Sequence, residues 1–250
     1  MSLDAVLDSA DIHDPQAREH YRAWLPIERR QGEFFASLVL EHLPPRLDAA
    51  MRDRASALDF GCSCGHLVQR LSGRYPDARV EGIDVERIRI EVARHEYPSC
   101  VFHLADIETL GATYDVIFSS NVLEHFSAPL DVLQRLIAPH ARRFIVSLVP
   151  YREKELSPGH LFSFDQSSFP ERLGDFHLIH RVVIDCRIRA PDCWQGHQVL
   201  TVYAREWSPK SAVTRALGAV RKVMQRFTHG ALSLAGPAAG APGAGVRRRE

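Results

Sequence analysis

Residues 58–67 read LDFGCSCGHL, which has the pattern of a strand, a glycine-flanked turn and the start of a helix. The apolar strand carries the acid Asp59 at its end, and the helix begins at His66. Gly61 and Gly65, at the two ends of the turn, allow a sharp bend and a close approach of the backbone to a ligand. This stretch therefore predicts one strand–turn–helix unit of an α/β protein.

Short apolar runs alternate with amphipathic stretches along the middle of the chain. The strands are predicted at residues 57–60, 80–83, 101–104, 114–119, 143–149, 176–188 and 199–205. The helices between them are predicted at residues 66–71, 87–95, 130–137 and 166–173. Strands and helices that alternate at this spacing form a parallel sheet covered on both faces. We expect an α/β fold: a doubly wound, mostly parallel sheet of seven strands whose last strand is antiparallel.

The periodicity of apolar residues and the charge divide the chain into an N-terminal helical cap (residues 1–50), a core (residues 51–206) and a basic tail (residues 207–250). In the cap, residues 32–43 carry apolar side chains at three- and four-residue spacings. This spacing predicts a helix, and Pro44 stops it.

The basic tail holds eight of the 31 basic residues of the chain and one of the 31 acidic residues, although the total formal charge is zero. Residues 211–227 place an apolar stripe opposite basic side chains, which predicts an amphipathic helix. Such a helix either packs on the core or binds an anionic membrane surface or a protein partner. Residues 235–245 are of low complexity and are expected to be disordered.

Several sequence features bear on where the protein works. No stretch has the roughly 20 uninterrupted apolar residues that a membrane-spanning helix needs. The first residues, MSLD, include an acid and no base, so no secretory signal is expected. The five cysteines form no regular framework, which suits a reducing compartment. We therefore expect a cytoplasmic protein.

Acids end three successive predicted strands, namely Asp59, Asp84 and Asp106. The carboxyl ends of the strands of a doubly wound sheet meet at one edge, where nucleotide-like ligands bind. Asp84 is placed to accept hydrogen bonds from both hydroxyls of a ribose, and Asp106 to receive an adenine amino group. NAD fits less well, because the turn lacks the G-x-G-x-x-G spacing. Asp59 would also repel a pyrophosphate, whereas it favours an ammonium group.

These features resemble the class I S-adenosylmethionine-dependent methyltransferases, over roughly residues 55–205. Residues 114–125, YDVIFSSNVLEH, strengthen the resemblance, because they are similar to a signature of the branch that methylates small molecules. The resemblance implies a Rossmann-like sheet, with S-adenosylmethionine as cofactor and S-adenosylhomocysteine as product. One departure is Ser63, which stands where the family usually has a glycine. Serine is small and tolerates turns, so we expect binding to be retained.

The resemblance also implies the cofactor-binding residues. It assigns the methionine part to the glycine-flanked turn, the ribose and adenine to the ends of the second and third strands, and the sulfonium to the end of the fourth. The residues concerned are Asp59, Gly61, Cys62, Ser63, Gly65, Asp84, Val85, Asp106, Ile107, Ser120 and Asn121.

Two histidines are the candidate catalytic residues. His125 follows the fourth strand, and His160 lies in PGHLF, residues 158–162, which resembles an element of the same branch. Histidine has a pKa suited to general-base work near neutrality, and a hydroxyl acceptor needs a base. The chain has thirteen histidines, however, so a surface or capping role is the alternative. Glu124 is interpreted as a helix-start carboxylate favoured by the helix dipole.

No metal site is expected. Cys62 and Cys64 form a C-x-C pair, but no second pair has zinc spacing, and two small side chains suit a crowded turn. The aromatic residues Tyr21, Trp24 and Phe34 either cover the cofactor as a lid or pack against the domain.

The acceptor is expected to be a small molecule, with oxygen as the acceptor atom. The fourth strand is followed by SSNV rather than the Asn-Pro-Pro-aromatic element that the family uses on adenine or glutamine. The core is acidic, whereas a nucleic-acid site needs a basic face. The alternative function is a catalytically silent cofactor-binding module that recruits partners through its basic C-terminal helix.

Overall fold

The computed structural model describes residues 3–109 and 111–205, and its centre is one eight-stranded sheet. The strands are β1 (Ser56–Phe60), β2 (Arg79–Asp84), β3 (Val101–Leu104), β4 (Tyr114–Ser120), β5 (Ala141–Tyr151), β6 (Arg172–Leu173), β7 (Phe176–Asp185) and β8 (His197–Arg205). Their spatial order is β3-β2-β1-β4-β5-β8-β7-β6. β1 to β5 pair in parallel, while β8 runs antiparallel to both β5 and β7. The predicted α/β sheet with an antiparallel last strand is confirmed.

Helices connect the strands and precede them. They are α1 (Leu3–Ser9), α2 (Pro15–Glu41), α3 (Pro45–Arg52), α4 (His66–Arg74), α5 (Arg87–Glu96) and α6 (Pro129–Asp131), and α6 continues into a π-helical segment (Val132–Ile137). The side chain of Asp14 caps α2 by accepting a hydrogen bond from the Ala17 amide at 2.7 Å. Pro45 begins α3 at a position where its missing N–H costs no hydrogen bond.

Both faces of the sheet are buried, because successive residues of a strand point to opposite sides. In β1, Ala57 packs into a cluster with apolar side chains of α2 to α5, whereas Leu58 packs into a second cluster with the π-helical segment. In β5, Val146 packs into the same cluster as Ala57, and Ile145 packs into the same cluster as Leu58. Burial on both faces explains the nearly continuous apolar strands and confirms the doubly wound arrangement.

Three predicted elements differ from the structure. The helix predicted at residues 166–173 is a single 3-10 turn (Gln166–Ser168), which is followed by the short strand β6. Pro170 explains the difference, because proline removes an N–H and stops a helix. β6 was not predicted, and with it the sheet has eight strands instead of the seven expected. The helix predicted at residues 32–43 begins earlier, at Pro15, and accommodates Pro26 inside it.

The basic helix predicted at residues 211–227 and the tail predicted to be disordered lie outside the described residues. Within residues 3–109 and 111–205, none of the helices combines the length and the apolar character needed to cross a membrane.

Candidate active site

The carboxyl ends of β1 to β4 line one cavity of about 680 Å³. The acids and amides at this edge follow the strand order of the sheet: Asp106 after β3, Asp84 at the end of β2, Asp59 in β1 and Asn121 after β4. All four line the cavity. The three acids that the sequence places at strand ends therefore lie along one crevice.

The turn between β1 and α4 presents its backbone to the cavity. Gly61 has a φ of 74°, in the left-handed region, and a Cβ at this position would lie 2.5 Å from the side chain of Val122. The amides of Gly61 and Cys62 both donate to the carbonyl of Ile83 at 2.9 Å. The turn is thus anchored to β2, and it needs glycine at its first position.

Asp84 is held by two backbone amides. The Ser63 amide donates to Oδ2 at 3.0 Å, and the Glu86 amide donates to Oδ1 at 2.9 Å. An ionised carboxylate can accept about four hydrogen bonds, two on each oxygen. Each oxygen of Asp84 therefore keeps capacity for one more donor, which suits two adjacent hydroxyls.

Asp59 is a buried acid with unused hydrogen-bonding capacity. It is only 2% exposed, and its Oδ1 has no hydrogen-bond partner among the described residues. Burial, together with the nearby charge of Asp84, raises the pKa of Asp59 to about 8. A bound positive charge would compensate such a carboxylate, because it favours the ionised form.

Asp59 should make the stability of the ligand-free protein fall as the pH rises from about 4 to about 8. Its pKa is raised in the folded state, so the folded protein holds a proton that the unfolded chain has released. We expect Asp59→Asn to remove this dependence and to stabilise the protein at pH 8 by about 1–3 kcal/mol, the scale for an unpaired buried polar group. Denaturant unfolding of the wild type and of Asp59→Asn at pH 5 and pH 8 measures the two free energies of unfolding.

The matched control is Asp106→Asn, because this carboxylate lies at the same edge but is exposed. The difference in the free energy of unfolding between the wild type and Asp59→Asn should change from pH 5 to pH 8. An equal difference at both pH values would contradict the role assigned to burial of Asp59.

Side chains of α2 and α5 cover the turn. Arg89 donates a hydrogen bond to the Ser63 hydroxyl at 2.7 Å, and its guanidinium carbon lies 4.8 Å from the ring centre of Trp24. The Ser63 hydroxyl in turn donates to Glu28. Trp24 and Glu28 line the cavity, so α2 forms one of its walls.

Of the three aromatic residues considered as a lid, Trp24 lines the cavity. Tyr21 and Phe34 pack against apolar clusters instead. Phe35, next to Phe34, does line the cavity, and sequence reasoning missed it.

The end of β4 is fixed by β8. Asn121 has a φ of 53°, its amide donates to the carbonyl of Leu148 at 2.8 Å, and its side-chain oxygen accepts a hydrogen bond from the buried Gln198 at 3.0 Å. Asn121 and Ser120 therefore line the cavity in one defined orientation. Gln198 carries no signal in the sequence, because only the pairing of β5 with β8 brings it here.

The two candidate histidines lie beside each other in the segments that follow β4 and β5, whereas Asp106 follows β3 at the edge of the sheet. Their ring centres are 5.2 Å apart and their planes nearly perpendicular. The Nδ1 of His160 is 2.8 Å from the carboxylate of Glu153, and the Nδ1 of His125 is 2.9 Å from the carbonyl of Gly159. Each ring is thereby oriented by one nitrogen, and both line the cavity.

Glu124, interpreted from the sequence as a helix-start carboxylate, is a buried side chain. It lies in a 3-10 turn (Leu123–His125) and is 1% exposed. Its Oε2 has no hydrogen-bond partner within the described part of the chain. Burial raises the pKa of Glu124 to about 8. The side chain also lines the cavity next to the histidines.

Two of the predicted cofactor residues do not line the cavity. Gly65, with a φ of 85°, begins α4, and a Cβ there would lie 2.6 Å from the ring of Phe102. Ile107 is fully buried in an apolar cluster. Val85, by contrast, lines the cavity and is 71% exposed, which leaves an apolar surface free.

Comparison with known proteins agrees with this geometry. Residues 57–140 match the family model described as a methyltransferase domain. Over 120 residues the chain is 28% identical to a malonyl-(acyl-carrier protein) O-methyltransferase of Acetivibrio thermocellus, covering 46% of this chain and 40% of that protein. Over 110 residues it is 34% identical to a trans-aconitate 2-methyltransferase of Methylobacterium radiotolerans, covering 43% and 38%. The chain thus spans about two fifths of the length of these curated relatives.

Among solved structures, the chain is similar to magnesium protoporphyrin IX methyltransferase from Synechocystis with bound S-adenosylhomocysteine. The TM-score is 0.57 at 15% sequence identity, over 79% of this chain and 98% of that one. This likeness concerns the fold.

The sheet order, the strand-end acids and the matched domain define a class I methyltransferase fold. Residues 57–140 carry the matched methyltransferase domain, and the fold is that of the S-adenosylmethionine-dependent methyltransferases of this class. The cavity fits the cofactor of the family, S-adenosylmethionine, which carries a positive charge and a ribose. Asp59 offers an unpartnered buried oxygen, and Asp84 offers two free acceptor positions.

Proposed function

We propose that this protein transfers the methyl group of S-adenosylmethionine to an oxygen atom of a small-molecule acceptor. The observation that carries the proposal is Asp84, whose two oxygens are oriented by backbone amides toward the cavity and keep room for two hydroxyl donors. Few ligands other than a ribose present two adjacent hydroxyls next to a positive charge.

The cofactor lies along the β1–β4 edge in this proposal. Asp84 holds the ribose, the apolar surface of Val85 packs on the adenine, and Asp106 accepts from the adenine amino group. Asp59 and the turn hold the methionine part, where a negative charge favours an ammonium group. The other residues assigned to the cofactor are Gly61, Cys62, Ser63, Gly65, Ile107, Ser120 and Asn121. When bound, the cofactor supplies an activated methyl group on a positively charged sulfur.

The acceptor lies at the histidine end of the cavity. Methyl transfer is a displacement in line, so alignment and exclusion of water are the main demands on the protein. His125 and His160 are the proposed catalytic residues: their oriented rings face the acceptor and promote loss of its proton. Trp194, which stacks at 6.1 Å on His160, supplies an apolar wall.

Oxygen is the proposed acceptor atom. One relative is named as an O-methyltransferase acting on malonyl-(acyl-carrier protein), and others are named for trans-aconitate, a small molecule. A hydroxyl must lose a proton on transfer, and two histidines at the acceptor end serve that need. The five cysteines are all free thiols, which supports a cytoplasmic location.

Asp84→Ala should weaken S-adenosylmethionine binding by roughly 5- to 150-fold, which corresponds to about 1–3 kcal/mol for hydrogen bonds to a charged group. Titration calorimetry measures the dissociation constant. Glu108→Ala is the control, because this exposed acid also lies near the end of β3 but outside the cavity lining. Unchanged affinity of Asp84→Ala would exclude the ribose assignment.

Formation of S-adenosylhomocysteine tests the reaction itself. The full chain is incubated with S-adenosylmethionine and panels of hydroxyl, carboxyl and amine acceptors. Product with hydroxyl or carboxyl acceptors supports the proposal. Product with amines alone contradicts the oxygen assignment, and cofactor binding without product across all panels favours the silent module.

A further inference from the structure

Three side chains at the acceptor end of the cavity form a cluster with metal-ligand chemistry. Glu124, His125 and His160 each offer one ligand atom, and these atoms all lie within 4.8 Å of one another. A cation held by nitrogen and oxygen at roughly 2.0–2.2 Å separates neighbouring ligand atoms by about 3 Å. A separation of at most 4.8 Å places the three atoms near that spacing.

Both imidazole rings already have the partners that metal-binding histidines have in proteins. One nitrogen of His160 bonds to the Glu153 carboxylate, and one nitrogen of His125 bonds to the Gly159 carbonyl. Such bonds fix the ring orientation and leave the other nitrogen with a lone pair for a ligand. The side chains of His160 and Glu153 are only 10% and 7% exposed, so this pair is shielded from water.

Glu124 supplies the charge. Its carboxylate is buried and one oxygen lacks a hydrogen-bond partner among the described residues, which is costly unless something compensates it. Its backbone carbonyl accepts hydrogen bonds from the amides of Leu161 and Phe162, at 2.7 and 3.2 Å. These bonds hold the loop that carries His160 against Glu124.

We propose that Glu124, His125 and His160 bind one divalent first-row cation, with Zn²⁺ as the ion best matched to two imidazoles and one carboxylate. Three protein ligands leave at least one coordination position open, as in catalytic sites of this ligand type. All three residues line the cavity, so the open position faces the space assigned to the acceptor.

The role of the cation rests on the proposed methyl transfer to oxygen. An acceptor oxygen that fills the open position is oriented toward the cofactor end of the cavity. A bound hydroxyl becomes more acidic and releases its proton to water, so neither histidine needs to take that proton itself. In this arrangement His125 and His160 act on the acceptor through the cation.

Cation affinity is measured by titrating Zn²⁺ into the full chain after treatment with a chelator. We expect one equivalent to bind. Glu124→Gln and His160→Ala should each weaken binding by about 100-fold or more, and Glu153→Gln, which leaves all three ligands in place, by roughly 10- to 100-fold. His140→Ala is the control, since its Nδ1 also bonds to a backbone carbonyl, at 2.8 Å, but it lies outside the cavity lining.

The free cysteines require a second measurement, because thiolates also bind Zn²⁺. Co²⁺ replaces Zn²⁺ as a spectroscopic probe, and ligation by nitrogen and oxygen gives a spectrum without a sulfur-to-cobalt charge-transfer band. Such a band, the absence of any one-equivalent binding, or equal affinity in the wild type and in Glu124→Gln would overturn the proposal. Thermal unfolding of each metal-free variant shows that it is folded.

Asp84→Ala separates this inference from the proposed function. It should lose cofactor affinity and keep Zn²⁺ affinity, because Asp84 lies at the other end of the cavity. The wild type could bind Zn²⁺ at these residues and fail to bind S-adenosylmethionine. That result would contradict the proposed methyl transfer and support the cation site. Binding of S-adenosylmethionine without binding of Zn²⁺ would contradict the cation site alone.

Discussion

His160→Ala should lower the turnover number roughly 100- to 10,000-fold, the range for loss of a group that promotes removal of the acceptor proton, and should leave S-adenosylmethionine affinity unchanged. The reason is its position: His160 follows β5, whereas the acids assigned to the cofactor end β1 to β3. The side chain is 10% exposed, and its hydrogen bond to Glu153 fixes the ring in one orientation at the edge of the cavity.

The measurement is the rate of S-adenosylhomocysteine formation in a single turnover, with calorimetry for cofactor affinity. His140→Ala serves as the control and should retain full turnover. Loss of cofactor affinity in parallel with turnover would show that His160 shapes the whole cavity, and undiminished turnover would remove it from the mechanism.

Gly61→Val should abolish measurable cofactor binding and lower the free energy of unfolding by about 1–3 kcal/mol. Its φ of 74° is strained for a β-branched residue, and its Cβ would lie 2.5 Å from Val122. To relieve the backbone strain or the clash with Val122, the backbone that anchors the turn to Ile83 must move. Denaturant unfolding and calorimetry measure the two effects.

Gly73→Ala is the matched control for this substitution. Gly73 lies within α4, and a Cβ there meets no atom within 4 Å. Alanine at an exposed helical position should stabilise the protein by about 0.5–1 kcal/mol and leave cofactor binding intact. A Gly61→Val protein that binds the cofactor normally would show that the turn does not approach the ligand.

Local sequence signals predicted the part of the site that depends on single strands. The run of apolar residues predicts β1, and the need for a left-handed backbone predicts a glycine at position 61. Asp84 and Asp106 are predicted because each follows an apolar strand. None of these predictions requires a tertiary contact. The sheet brings these acids to one crevice because parallel strands end at the same edge.

The remaining features depend on contacts between distant parts of the chain. Gln198 reaches Asn121 only through the pairing of β8 with β5, and α2 becomes a wall only through packing on α4. Glu124 was interpreted as a helix-start carboxylate, and its burial carries no sign in the local sequence. The bond from Glu153 to His160 joins two residues of an irregular loop, for which no periodicity exists.

A crystal structure of the full chain with S-adenosylhomocysteine would show whether the strand-end acids hold the cofactor. We predict that both ribose hydroxyls lie within about 3 Å of the Asp84 carboxylate, with the adenine against Val85 and the sulfur directed toward Asn121 and the histidines. An adenosine bound outside this cavity, or a ribose that makes no contact with Asp84, would show that these acids do not bind the cofactor.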